Sequence, residues 1–99
     1  MKIDKSIENG HARYALEGRL DTTTAPELEQ ELKNDIEGGV TALTLDFSKL
    51  EYISSAGLRV LLSAHKSLSK QGGMKVTNVN EVVNEVFDVT GFADILDIE

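Results

Sequence analysis

The chain has no cysteine, no tryptophan, one proline, two histidines and only five aromatic residues in 99 positions. Without cysteine there can be no disulfide, thiolate nucleophile or thiolate metal site, and nothing in the composition calls for an oxidising compartment. The cytoplasm is the expected location. No apolar run approaches the roughly 18 residues of a membrane span, and Met1-Lys2-Ile3-Asp4-Lys5 lacks the apolar stretch of a secretory signal. A soluble, unprocessed protein is expected. Basic residues are also in short supply. Ten Lys and Arg against seventeen Asp and Glu leave a formal charge of −7, which repels nucleic-acid phosphates and anionic lipid. Nucleic acid and membrane are therefore not expected partners. The length allows one domain over residues 1–99, enough for a single core but not for a second lobe that closes over a substrate. A large two-domain enzyme is excluded.

What the chain does have is a set of clear periods separated by turn residues. Residues 2–8 and 11–18 flank Asn9-Gly10; both turn residues accept positive φ, so the stretch predicts an antiparallel hairpin with a type I′ turn. Ala25, Leu28, Leu32 and Ile36 then recur at helical spacing, with Pro26 in the first turn, Thr residues available as caps and Gly38-Gly39 as the stop. The prediction is a helix of about 13 residues supported by a Glu29–Lys33 pair. Residues 40–47 read as a central strand and residues 55–70 as a second helix, with Leu58, Leu61, Leu62 and Leu68 inward and Gly72-Gly73 closing it. Residues 74–79 form a weaker strand. Asn80 caps a third helix striped by Val82, Val83, Val86 and Phe87, and the tail adds one helical turn and a short strand. A hairpin followed by alternating helices and strands predicts an α/β fold, with helices packed by right-handed crossovers on a mixed β-sheet.

Several chemistries can be weighed from residue types. Ser55, Asp46 and His65 are the members of a hydrolase triad, but on one helix ten residues place Ser55 and His65 roughly 15 Å apart, too far for a nucleophile and its base. His11 has no second imidazole nearby, so zinc is not expected. Neither glycine pair belongs to a phosphate-loop pattern. Asp21 and Asp46 could gather a divalent cation at strand ends, with Asp46 as a phosphoryl acceptor, but no acidic pair stands near the chain start. The most informative stretch is Asp46 to Leu62, where a buried strand leads by a short loop to Ser54 and Ser55, adjacent hydroxyls at the start of a helix with Gly57 in its first turn. The positive end of that helix favours a phosphate dianion. The structural alternative is that one of these serines simply caps the helix, and the two roles can coexist.

Those residues carry a resemblance. The hairpin, Gly18-Arg19-Leu20-Asp21, Leu45-Asp46-Phe47-Ser48, Tyr52-Ile53-Ser54-Ser55-Ala56-Gly57-Leu58 and Thr90-Gly91-Phe92 together resemble the STAS family, named for sulphate transporters and anti-sigma factor antagonists. With no transporter helices, the chain is most similar to a bacterial anti-sigma factor antagonist. The resemblance implies a STAS-like sheet and a protein that binds an anti-sigma factor which is also a serine kinase, freeing a sigma factor. It implies phosphorylation at Ser55, with Ser54 as the alternative, and reversal by a metal-dependent serine phosphatase. It places the partner surface on Asp21, Thr22, Tyr52, Ser54, Ser55, Ala56, Gly57, Leu58 and Arg59. Members often carry Asp immediately before the phosphorylated serine, where this chain has Ser54. No catalytic residue, metal or cofactor is implied, and a monomer is the expected state. The alternative is a constitutive STAS interaction module without phosphorylation control, in a signalling or transport assembly.

Overall fold

The computed structural model describes residues 1–99. In chain order it has β1 (Lys2–Glu8), β2 (His11–Leu20), α1 (Ala25–Glu37), β3 (Ala42–Ile53), α2 (Ser55–Leu68), β4 (Gly73–Thr77), α3 (Glu81–Thr90), a 3₁₀ turn (Phe92–Asp94) and β5 (Asp97–Ile98). The five strands lie side by side in that order; β1 is antiparallel to β2 and the other neighbours are parallel. The α/β class and the mixed sheet opened by a hairpin are as the sequence predicts. Asn9 and Gly10 take φ of 52° and 80°, the double positive φ that a type I′ turn needs.

Alternation along the strands sets the layers. Ala12, Tyr14 and Leu16 of β2, Leu43, Leu45 and Phe47 of β3, and Met74 and Val76 of β4 are buried in one core with the inner faces of the helices. The residues between them point to the other side and, Ala15 apart, are polar, among them His11, Arg13, Thr44, Asp46 and Lys75. All three helices therefore cover one face of the sheet and leave the other open to water.

Three local expectations are corrected. Strand β3 does not end at Phe47 but runs to Ile53, because two β-bulges interrupt its register with β2, one between the pairs Ala15↔Asp46 and Glu17↔Lys49 and one between Gly18↔Leu50 and Arg19↔Tyr52. Each adds a residue, so the buried positions Phe47, Leu50 and Ile53 fall three apart instead of two and hide the strand period. Helix α2 stops at Leu68, and the second glycine pair closes the following turn rather than capping it. A side chain at Gly72 would come within 2.6 Å of the Ala42 Cβ, while Gly73 has φ of 81°. On α1, Lys33 makes no ion pair with Glu29.

Candidate functional site

The C-terminal end of β2 and the junction of β3 with α2 meet at one place. Arg19 pairs with Tyr52 and Leu20 with Ile53 across the ladder, and the Ser54 N–H donates to the Leu20 carbonyl at 2.9 Å. The strand pairing thus extends into Ser54, which remains extended (φ −100°, ψ 176°) before the chain turns into α2 at Ser55. The Leu58 N–H closes the first helical turn on the Ser54 carbonyl at 3.0 Å. A short loop before the helix, as the sequence suggests, does not exist; the chain passes from strand to helix through one residue.

That passage separates the two serines. The Ser54 Oγ is enclosed and has no hydrogen-bond partner, and it makes no capping bond to the helix. Ser55 occupies the first helical position and is exposed. Neither is therefore the side-chain cap that the structural alternative expects. The N–H groups of Ser55, Ala56 and Gly57 have no acceptor within the helix, and the positive end of the α2 dipole lies beside the Ser55 hydroxyl. Arg59, four residues on and exposed, shares the Ser55 face of the helix. The Ser55 hydroxyl is thus open to solvent while the Ser54 oxygen is enclosed.

Gly57 and Leu58 hold the helix down. Leu58 is buried, and a Cβ on Gly57 would lie 2.7 Å from the Leu20 Cγ and 2.8 Å from the Ile53 Cγ1. Only glycine lets the first turn of α2 sit this close to the strand ends. Ala56 is half-buried beside it.

Asp21 leaves β2 at the same edge and organises the start of α1. Its carboxylate accepts from the Thr23 hydroxyl at 2.8 Å and from the Thr23 and Thr24 N–H groups at 3.0 and 3.2 Å. These bonds, the Thr23 hydroxyl foremost, hold its carboxyl below the usual carboxylate range. Asp21 therefore closes the turn that leads into α1, whose N-cap position makes no side-chain cap bond. Thr24, the threonine at the cap position, instead ties its hydroxyl back to the Arg19 carbonyl at 2.8 Å. Thr22 is exposed and shares with Ala56 and Arg59 a shallow hollow of about 140 Å³ between the starts of α1 and α2.

All nine predicted surface residues thus come from three adjoining segments. Sequence reasoning missed Arg19, whose guanidinium stacks 4.5 Å from the centre of the Tyr52 ring and stands 3.9 Å from Asp21. It lies inside the Gly18-Arg19-Leu20-Asp21 segment, but its partner is 33 residues away and visible only once the bulged register is known. The other candidate chemistries do not assemble. Asp46 lies on the open face of the sheet opposite Ala15, away from Asp21, and bonds Arg13 and Asn78. His11 bonds Thr44, and no three His, Asp or Glu side chains converge in a metal-holding cluster. No helix is long and apolar enough to cross a membrane.

Comparison with known proteins agrees with this architecture. A family model described as STAS domain matches residues 2–99. A Bordetella bronchiseptica protein bearing the name anti-sigma factor antagonist BtrV is 35% identical over 99 residues, 99% of this chain and 85% of that one. The anti-sigma-B factor antagonist of Bacillus subtilis is 31% identical over 99 residues, covering 99% and 90%. The crystal structure of an anti-sigma factor antagonist from Mycobacterium paratuberculosis superposes with a TM-score of 0.87 at 25% identity, covering 98% of this chain and 83% of that one.

Proposed function

The chain belongs to the STAS domain family, and from that premise we propose that it is a cytoplasmic anti-sigma factor antagonist switched by phosphorylation of Ser55. In this reading it binds an anti-sigma factor that is also a serine kinase, using a surface of Asp21, Thr22, Tyr52, Ser55, Ala56 and Arg59 that Ser54, Gly57 and Leu58 support from beneath, and so releases a sigma factor. The kinase then phosphorylates Ser55, and a metal-dependent phosphatase reverses the modification. The relatives' names support the antagonist role. The observation that carries the switch is the contrast between an exposed Ser55 hydroxyl at the first position of α2 and an enclosed Ser54 oxygen one residue before it.

The physics of the switch is local. A phosphate adds about −1.5 to −2 charge, which the free N–H groups of the first turn and the Arg59 guanidinium can accept without refolding the domain. A kinase surface fitted to a neutral hydroxyl must then desolvate or repel that charge. A coupling of about 1–3 kcal/mol lowers affinity between several-fold and a hundredfold. Catalysis belongs to the kinase and phosphatase, and this chain is their substrate.

Incubation with the cognate kinase and ATP tests the reading. Phosphate should enter the wild-type chain and Ser54→Ala, but not Ser55→Ala; undiminished labelling of Ser55→Ala refutes Ser55 as the site. Ser55→Asp should weaken kinase binding, and unchanged affinity would leave a constitutive interaction module.

A further inference from the structure

Helix α3 carries more than the contact that holds it to the sheet. Val83 and Phe87 make that contact: both are fully buried, and the Phe87 ring lies 6.4 Å from the ring of Phe47. At 3.6 residues per turn, Val82, Val86 and Val89 form a second line at i, i+4 and i+7, and Glu81, Glu85 and Asp88 form a third line alongside it. The valine line is not absorbed by the core, since Val82 is 54% and Val89 77% exposed and only Val86 is partly covered. The three acids are exposed and none takes part in an ion pair. Along the chain beyond Lys75 there are Glu81, Glu85, Asp88, Asp94, Asp97 and Glu99 and no Lys, Arg or His.

In the isolated domain these choices work against the helix. Valine loses side-chain freedom in a helix, and without burial nothing offsets the loss. Asp88 sets negative charge in the last turn, at the negative end of the dipole, with no basic residue there to balance it. Both features become favourable against a surface that covers the valines and supplies cations. A second copy pairing through the same face does not supply them, because α3 carries no Lys, Arg or His. Phosphate backbones and anionic lipid are repelled by the same ridge.

We propose that the outer face of α3 docks an amphipathic helix of a partner protein, one that presents Lys or Arg at i, i+4 and i+7 beside an apolar line of the same spacing. Two helices packed near parallel keep such lines in register over the ten residues of α3. The surface shares no residue with the Ser55 face.

The isotope-labelled full chain can be titrated at physiological salt with an 18-residue Lys/Leu helical peptide of that spacing. Its Glu/Leu twin and phosphatidylcholine vesicles complete the set. Saturable chemical-shift changes concentrated on residues 81–90, absent with the twin, are expected. Val82→Ser combined with Val89→Ser alters two exposed positions, so its spectrum elsewhere should stay unchanged while the peptide binds at least tenfold more weakly. Equal binding to that variant, or shifts scattered over the whole acidic surface, would reduce the effect to bulk charge and overturn the proposal. Binding of the twin would overturn the cation requirement, and shifts caused by the vesicles would assign the face to a membrane instead.

Discussion

Ser54 and Ser55 carry the same hydroxyl one residue apart, and the backbone gives them opposite surroundings. Ser54 is the last residue held to β2, and its oxygen is enclosed without a partner. An unsatisfied buried hydroxyl costs about 1–3 kcal/mol. Ser54→Ala should therefore leave stability unchanged or raise it by up to about 1 kcal/mol, where loss of a capping serine would lower it by about 0.5–2 kcal/mol. Urea unfolding separates the two signs; a loss of 1 kcal/mol or more would mean that this hydroxyl caps α2 in solution. Gly57 makes the complementary case. Adding a methyl group 2.7 Å from the Leu20 Cγ forces a shift that overpacked sites usually answer with about 1–3 kcal/mol of destabilisation, more than the roughly 1 kcal/mol that alanine gains in helix propensity. Gly57→Ala should thus lower the urea midpoint, and a higher midpoint would show that α2 can lift without penalty. Both serines and the glycine were legible as a motif. Which hydroxyl is available was not, because that depends on the Leu20 carbonyl, 34 positions back in the chain.

At the scale of elements, legibility followed locality. The hairpin, α1 with its Pro26 start and α3 with its Asn80 cap each rest on contacts a few residues apart, and the Asn80 side chain does accept the Val83 N–H at 2.8 Å. The second half of β3 depends on pairing with β2 through two bulges, which no local period reports. Asp46 shows the same dependence. It reads as a candidate acceptor or metal ligand, but in the fold it ties β3 to β2 and to the turn after β4: it accepts from Arg13 Nη2 at 3.0 Å and Asn78 Nδ2 at 3.0 Å, and from the Ser48 N–H of its own strand at 2.9 Å. Asn78 sits at φ 58°, a conformation that asparagine tolerates but does not favour, and the bond to Asp46 helps to hold it there before α3. These partners, the Asn78 amide foremost, keep the Asp46 carboxyl below the usual carboxylate range. With the unfolded value near 3.9, its contribution is complete above about pH 4 and is lost as pH falls through the lower folded value. Asp46→Asn should cost about 1 kcal/mol at neutral pH and flatten the acid limb of the stability curve. Acid-unfolding curves that stay parallel to wild type would remove Asp46 from that role.

For the molecule as a whole, the strand order leaves β1 as an edge strand with a single hydrogen-bonded neighbour, and most of its residues are exposed. What joins it to the helical layer is a polar knot at the rim of the core. Lys5 reaches from β1 to Glu31 at 2.6 Å and Asp35 at 3.0 Å on α1, and passes over the ring of Tyr14. The Tyr14 hydroxyl, from the neighbouring strand, donates to the same Asp35 carboxylate. Burial first, and then the bond to Asp35 and its charge, push the Tyr14 hydroxyl well above its ordinary value of 10.0. The hydrogen bonds to Glu31 and Asp35 raise Lys5 as well. Both groups bind their protons more tightly in the folded state, so their contribution is complete below about pH 10, the unfolded value, and is lost as pH rises through the folded values. Alkali should therefore loosen the joint between β1 and α1. Tyr14→Phe keeps the ring in the core and leaves Lys5 as the Asp35 partner. It should cost about 1–2 kcal/mol at pH 7 and make the fall in stability above pH 10 shallower than in wild type. Thermal unfolding between pH 7 and 11 measures both, and an unchanged alkaline slope in Tyr14→Phe would place the alkaline sensitivity outside this knot.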